Sequence, residues 1–273
     1  MKKIKFCPQL FFVIVLLASF FTACNNNDND DSSQTSRMTV RMVDAPGDYD
    51  EVNIDVQDIM IKSSDDTNDS EGWVSIVDDD FTPGVYNLLD LTGGVNVLLA
   101  DELVPSGYLG QIRLVLGENN TLVKGDEVMD LNTPSAMQSG LKLKVNQTLQ
   151  PGATYEFILD FDVAKSIVSA GGSGMYNLKP VIRASATATS GVIKGAINPV
   201  LEGYQVEVSV PVGDTVITTF AGETGLFQLN GVPAGTYTVT LTPDVASGKT
   251  PITITNVVVK NGEITDAGSV SFQ

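Results

Sequence analysis

From Arg37 to its end, the sequence alternates short runs of β-forming residues with turns rich in glycine and proline. That pattern leaves no room for a long helix and points to an all-β chain. Val52, Ile54 and Val56 alternate with Asn53 and Asp55, as in a strand with one face buried. Ile59 and Ile61 continue the run one residue out of step, so a β-bulge is expected near Gln57 and Asp58. Residues 73–77, 112–116, 141–145 and 155–161 have the same composition, with turn signals at intervals typical of sandwiches and barrels. Only residues 163–168 read as helix, with Asp162 as the capping residue.

Four of the turns share a motif. Pro83-Gly84-Val85-Tyr86, Pro105-Ser106-Gly107-Tyr108, Pro151-Gly152-Ala153-Thr154-Tyr155 and Pro233-Ala234-Gly235-Thr236-Tyr237 each place Pro and Gly ahead of a Tyr and a strand. Pro presets φ for the turn and Gly supplies positive φ. A Tyr at a strand start can return its hydroxyl to upstream backbone, as tyrosine corners do in β-sandwiches. These tyrosines are therefore expected to be structural.

The first residues read as an address. Lys2, Lys3 and Lys5 precede an apolar run over residues 10–21, too short for the roughly 20 residues of a membrane-spanning helix. Thr22 and Ala23 then lead to Cys24, a secretory signal with its cleavage site. Phe21-Thr22-Ala23-Cys24 resembles a bacterial lipobox, which implies cleavage after residue 23 and lipidation of Cys24. Cys7 would leave with the signal, so the mature protein would hold neither a free thiol nor a disulfide. Multiple acyl chains would fix it to a membrane, since one chain binds only marginally. The Asn- and Asp-rich residues that follow, within 24–36, cannot bury a core and form an acidic tether. That tether is similar to the acidic stretch of surface-exposed lipoproteins in Bacteroidetes-like bacteria. The implied location is the cell envelope, lipid-anchored in the outer membrane and facing outward.

Charge and composition remove whole classes of function. The chain carries 33 Asp and Glu against 16 Lys and Arg, a formal charge of −17, and has no His. Imidazole-based triads, His-ligated metals and a neutral-pH histidine switch are therefore absent. A nucleic-acid partner would require a basic face. Residues 37–189 hold ten basic and 23 acidic residues, whereas 190–273 hold three and seven. The weakly patterned Arg183-Ala184-Ser185-Ala186-Thr187-Ala188-Thr189-Ser190 marks the boundary. The expected organisation is a signal peptide over 1–23, a tether over 24–36, and two β-sandwich domains over 37–187 and 188–273.

Each domain resembles a known family. Val43-Asp44-Ala45-Pro46, Gly72-Trp73-Val74, Leu88-Leu89-Asp90-Leu91, Leu159-Asp160-Phe161-Asp162 and Leu178-Lys179-Pro180-Val181-Ile182-Arg183 resemble, in order, the DUF4382 domain of bacterial lipoproteins. That family implies no activity. Gly191-Val192-Ile193-Lys194-Gly195, Gly222-Glu223-Thr224-Gly225-Leu226-Phe227 and the Pro233–Tyr237 turn resemble the carboxypeptidase regulatory-like, or transthyretin-like, sandwich. That resemblance implies seven strands, a shape related to starch-binding modules, and no catalysis.

Few residues offer chemistry. Asp44, Asp48, Asp50 and Glu51 share one Gly/Pro loop and supply carboxylate oxygens of the kind Ca²⁺ takes, so at most one weak calcium site is expected there. No other cofactor is expected. Asp160 and Asp162 stand at i and i+2 of a strand and share a face. They read either as a glycosidase-like carboxylate pair or as a strand end paired with Arg113, Lys165 or Arg183 and leading into the helix cap. Trp73, the sole indole, is the candidate ligand contact, because sugar-binding faces stack aromatics on pyranose rings. Asp214-Thr215-Val216 is similar to an O-glycosylation acceptor of Bacteroides-like bacteria, with Thr215 the modified residue. The expected function is a non-catalytic envelope protein that binds a surface component, carbohydrate or protein. The alternative is a structural, fimbria-like assembly subunit.

Overall fold

The computed structural model describes residues 34–273, apart from 46, 48, 66–70, 78–80, 134–139 and 171–174. The signal segment, Cys24 and most of the tether lie outside the described residues. Residues 32–273 form one compact unit. It is an all-β sandwich structure.

The first half holds β1 (Thr35–Ala45), β2 (Glu51–Lys62), β3 (Trp73–Ser75), β4 (Gly84–Asn87), β5 (Val97–Pro105), β6 (Gly107–Leu116) and β7 (Thr121–Lys124). It continues with β8 (Glu127–Asn132), β9 (Leu141–Leu149), β10 (Thr154–Asp162), a single helical turn α1 (Val163–Ser166), β11 (Ile167–Ser169), β12 (Tyr176–Leu178) and β13 (Ile182–Ala186). One sheet runs β13-β10-β1-β5, with β1 and β10 parallel. The other runs β11-β12-β8-β7-β2-β6-β9, and β3 and β4 also pair with the long β2. Between them sits one hydrophobic core. Met38, Val40 and Met42 of β1 and Phe157, Leu159 and Phe161 of β10 meet Ile54, Ile59, Ile112 and Leu114 of the facing sheet, all fully buried.

Strand alternation dictates this packing. Every second residue of β10 points into the core, so Glu156, Ile158 and Asp160 occupy its other face. β2 keeps its apolar face inward over twelve residues by a bulge: its pairing with β6 shifts register between Val56 and Asp58. Asp55, an outward position by alternation, is only 2% exposed. The turn after β6 folds over it. Its carboxylate accepts from the backbone N–H and side-chain amide of Asn119 at 3.1 and 2.9 Å, and from Gln57. A buried carboxylate is tolerable only with such donors.

The helical turn is shorter than the pattern suggests. Asp162 accepts from the N–H of Lys165 at 3.0 Å, as an N-cap does, but Ile167 returns to extended backbone and starts β11. Two of the four turn tyrosines close corners. Tyr155 accepts from the N–H of Gln150 at 2.9 Å and donates to the Thr148 carbonyl, and Tyr237 donates to the Pro233 carbonyl at 2.9 Å. Tyr108 instead donates across the sheet to Asn146.

The second half has seven strands: β14 (Gly191–Ile197), β15 (Val206–Val212), β16 (Thr215–Phe220), β17 (Leu226–Val232), β18 (Gly235–Pro243), β19 (Ile252–Val259) and β20 (Ile264–Val270). They form a three-stranded sheet, β17-β14-β20, and a four-stranded sheet, β16-β15-β18-β19. Ile193, Val208, Val210, Phe227, Leu229, Val239 and Leu241 fill the space between. This core starts at Ile193, whereas the first ends at Ala186.

Phe157 is wholly buried in the first core. Phe157→Ala is expected to cost about 3–5 kcal/mol, a fall in melting temperature on the order of 10 °C. Thermal melting of the two proteins side by side checks it.

Candidate functional site

The outward face of the β13-β10-β1-β5 sheet is where the two halves meet. Asp160 on β10 lies directly across from Arg183 on β13. Arg183 Nη2 donates to Asp160 Oδ2 at 2.5 Å and to the Asn230 carbonyl at 2.6 Å, and Nη1 donates to the Gly231 carbonyl at 2.9 Å. Asn230 and Gly231 belong to β17, so one guanidinium joins both halves. Gly231 has φ of +66°, and a Cβ there would lie 2.6 Å from Arg183 Nη1 and closer still to Ser185 Oγ. Only glycine permits this approach.

Asp160 and Asp162 therefore have separate tasks. Asp162 caps α1 and pairs with Lys165. Asp160, its side chain 12% exposed, pairs with Arg183. Burial pushes the Asp160 carboxyl up to about 6, against the pull of Arg183; Asp162 adds to the rise and Lys165 opposes it.

Beside this contact a cleft of about 690 Å³ opens between the halves. Arg41 of β1 crosses its wall, donating from Nε to Glu156 Oε1 at 2.8 Å and from Nη1 to Asn96 Oδ1 at 2.9 Å. Gln228 and Asn230 face it from β17, joined by a 2.8 Å hydrogen bond from the Gln228 amide to Asn230 Oδ1. A second groove, of about 630 Å³, lies between the end of β5 and β3 and includes Val74, Leu103 and Tyr108.

Of the described residues singled out from sequence, Asp44, Asp50, Glu51, Trp73 and Thr215 line neither. Asp44 is buried on β1, and Asp48 is outside the described residues. Asp50 accepts from the N–H of Gly125 at 2.6 Å, and Glu51 from the Asn53 amide at 2.9 Å. Among the described residues, no group of three or more Asp, Glu, His or Cys is placed to hold a metal ion. Trp73 lies on the outer face of its sheet. The Arg113 guanidinium stacks 3.8 Å from its ring centroid and the Lys62 ammonium lies 5.7 Å away. Register explains this: Lys62 pairs with Trp73, and Arg113 lies across from Met60, two residues along β2. Thr215 is exposed at the β15–β16 hairpin, where its hydroxyl donates to the Val212 carbonyl at 3.0 Å. The cleft residues Arg41, Asn96, Glu156, Gln228 and Asn230 were not singled out from sequence. Each is an ordinary polar residue whose meaning comes from the junction.

The fold thus defines an all-β envelope of two packed sandwiches with a polar cleft at their junction. The chain belongs to the family described as a domain of unknown function, DUF4382, whose profile matches residues 35–180. No curated protein matches the sequence. Among solved structures, the chain is similar to the Bacillus anthracis TIE protein, at 13% identity and a TM-score of 0.23 over 88% of this chain and 34% of that one. It is similar to a leucine-rich repeat protein from Bacteroides thetaiotaomicron, at 15% identity and a TM-score of 0.20 over 88% of this chain and 26% of that one. The major pilin protein of Streptococcus pyogenes is 10% identical, with a TM-score of 0.18, over 88% and 96% of the two chains. The chain thus spans about a third and a quarter of the first two.

The raised Asp160 carboxyl sets a pH dependence. Between its ordinary value of 3.8 and about 6, the folded state keeps a proton that the unfolded state has released. Stability from this group is therefore full below about pH 4 and falls as pH rises through 6. The gap is on the order of 3 kcal/mol. Asp160→Asn removes the titration, so its unfolding free energy relative to the parent should rise between pH 4 and pH 7. Urea unfolding at pH 4, 5.5 and 7 measures it.

Proposed function

We propose that this chain is a non-catalytic, lipid-anchored protein of the bacterial outer membrane that binds a component of the cell surface, with carbohydrate as the ligand class. The observation that carries the reading is the fate of the carboxylates. Asp160 and Asp162, the pair that acid–base chemistry on a sugar would use, are committed to Arg183 and to a helix cap. What remains open is a polar cleft suited to binding. The lipobox-like residues 21–24 support anchoring at Cys24, and the acidic tether supports outward display. The seven strands over 191–270 support the likeness of the second half to carboxypeptidase regulatory-like modules.

Cys24→Ser should move the protein from the membrane fraction to the soluble fraction, because the acyl chains supply the binding. Retention of the variant after a high-salt wash would exclude the lipid anchor. A glycan array probed with the full-length protein tests the ligand class; silence across neutral and acidic glycans would remove it.

One observation favours a second reading, an assembly subunit. β5 ends its sheet, and Leu98 and Leu103 on it are exposed, Leu103 to 63%. An open edge with apolar side chains beside a groove can accept a strand from another chain. On this reading the protein forms oligomers by light scattering, and Leu103→Lys dissolves them. A monomer at high micromolar concentration would count against it.

A further inference from the structure

We propose that the cleft between the two sandwiches is the binding site and that its ligand is a neutral sugar chain. This deepens the carbohydrate reading and rests on it. The argument concerns which chemistry the lining can still satisfy.

Charges in the cleft are matched. Arg41 and Glu156 pair at 2.8 Å, and Glu263 at the rim pairs with Lys260 at 3.3 Å. A charged ligand meets no unmatched counter-charge. Hydrogen-bonding capacity does remain. Arg41 carries five N–H donors and directs two of them to Glu156 and Asn96. Glu156 Oε2 accepts no hydrogen bond from the described residues. Asn230 is only 5% exposed, and its Oδ1 is held by Gln228, yet its amide N–H₂ has no partner among the described residues. Asn230 belongs to the cleft lining, so this amide can donate to a ligand there.

Between these polar groups lie Val43, Ile158, Val192 and Ile264, the last 63% exposed. Such a mixture suits a pyranose, whose hydroxyls both donate and accept while its C–H faces are apolar. The volume of about 690 Å³ is within the usual range for a ligand site, and domain junctions are a usual place for one. The site is also held in advance. Arg183 fixes the Asn230 backbone at 2.6 Å and Gln228 holds its side-chain oxygen at 2.8 Å, so little freedom is lost when the side chain engages a ligand.

The test is affinity electrophoresis of the full-length protein in mild detergent. The gels contain soluble starch, galactomannan, xyloglucan or mixed-linkage β-glucan, with polygalacturonate as the acidic counterpart. At least one neutral polymer should retard the protein. Arg41→Ala removes donors. Ala188→Trp fills the cleft from an exposed lining position with no demand on either core. Both should weaken retardation at least tenfold, and Trp73→Ala should leave it unchanged. Should Arg41→Ala fail to fold, Ala188→Trp decides alone. Retardation that survives Ala188→Trp, or that only Trp73→Ala abolishes, overturns the cleft and leaves the carbohydrate reading standing. Retardation by polygalacturonate alone overturns the neutral ligand. Retardation by none of the polymers overturns both.

Discussion

Arg183 is the residue on which the joined architecture depends. Its guanidinium meets one carboxylate and two backbone carbonyls, drawn from two strands that belong to separate hydrophobic cores. An ammonium could not do this as well: it is a point charge on a flexible stem, whereas the guanidinium offers donors in a fixed plane. The contact also solves two accounting problems together. A buried carboxylate needs a counter-charge, and the β17 carbonyls turned toward the junction need donors. Gly231 completes the arrangement by leaving no side chain between the strands.

That junction exists because β10 has two uses. Phe157, Leu159 and Phe161 fill the first core, and the alternate residues Glu156, Ile158 and Asp160 present a second surface. Most outer faces of antiparallel sandwiches are solvated and polar. Here Ile158 is buried and Asp160 nearly so, while Glu156 at the near end stays open to the cleft. One strand therefore passes from closed contact to open cleft within five residues.

Local features were legible in the sequence and junction features were not. The bulge at Gln57 was readable because period-two alternation slipped by one residue, and register obeys that period. The Asp162 cap and the Tyr155 and Tyr237 corners were readable because each closes within a few residues. Asp55 looked outward by alternation, and nothing near it in sequence announced that Asn119 would fold over it. Asp160 presented three candidate partners, and only the pairing of β10 with β13 selects Arg183. The cleft was the least legible of all. Arg41, Glu156 and Asn230 are spread over nearly two hundred positions, and no spacing rule joins them. Trp73 drew notice as the sole indole, but composition alone carries no information about the cation that stacks on it.

The acidic character of the chain and the neutrality of its cleft are compatible for a simple reason. Fixed charges act over a Debye length of about 8 Å at physiological ionic strength. Over that range the excess of carboxylates, concentrated over residues 37–189, governs solubility and encounter with other charged surfaces rather than local recognition. At contact distance, Arg41 answers Glu156, and Arg183 answers Asp160. A polyanion would be repelled on approach and would find no unmatched cation on arrival. A small cation would be attracted on approach, yet each cleft carboxylate already has a partner. An uncharged ligand would pay neither penalty, and its recognition would fall to hydrogen bonds and apolar contact, the two kinds of surface that Asn230 and Ile264 bring to one cleft.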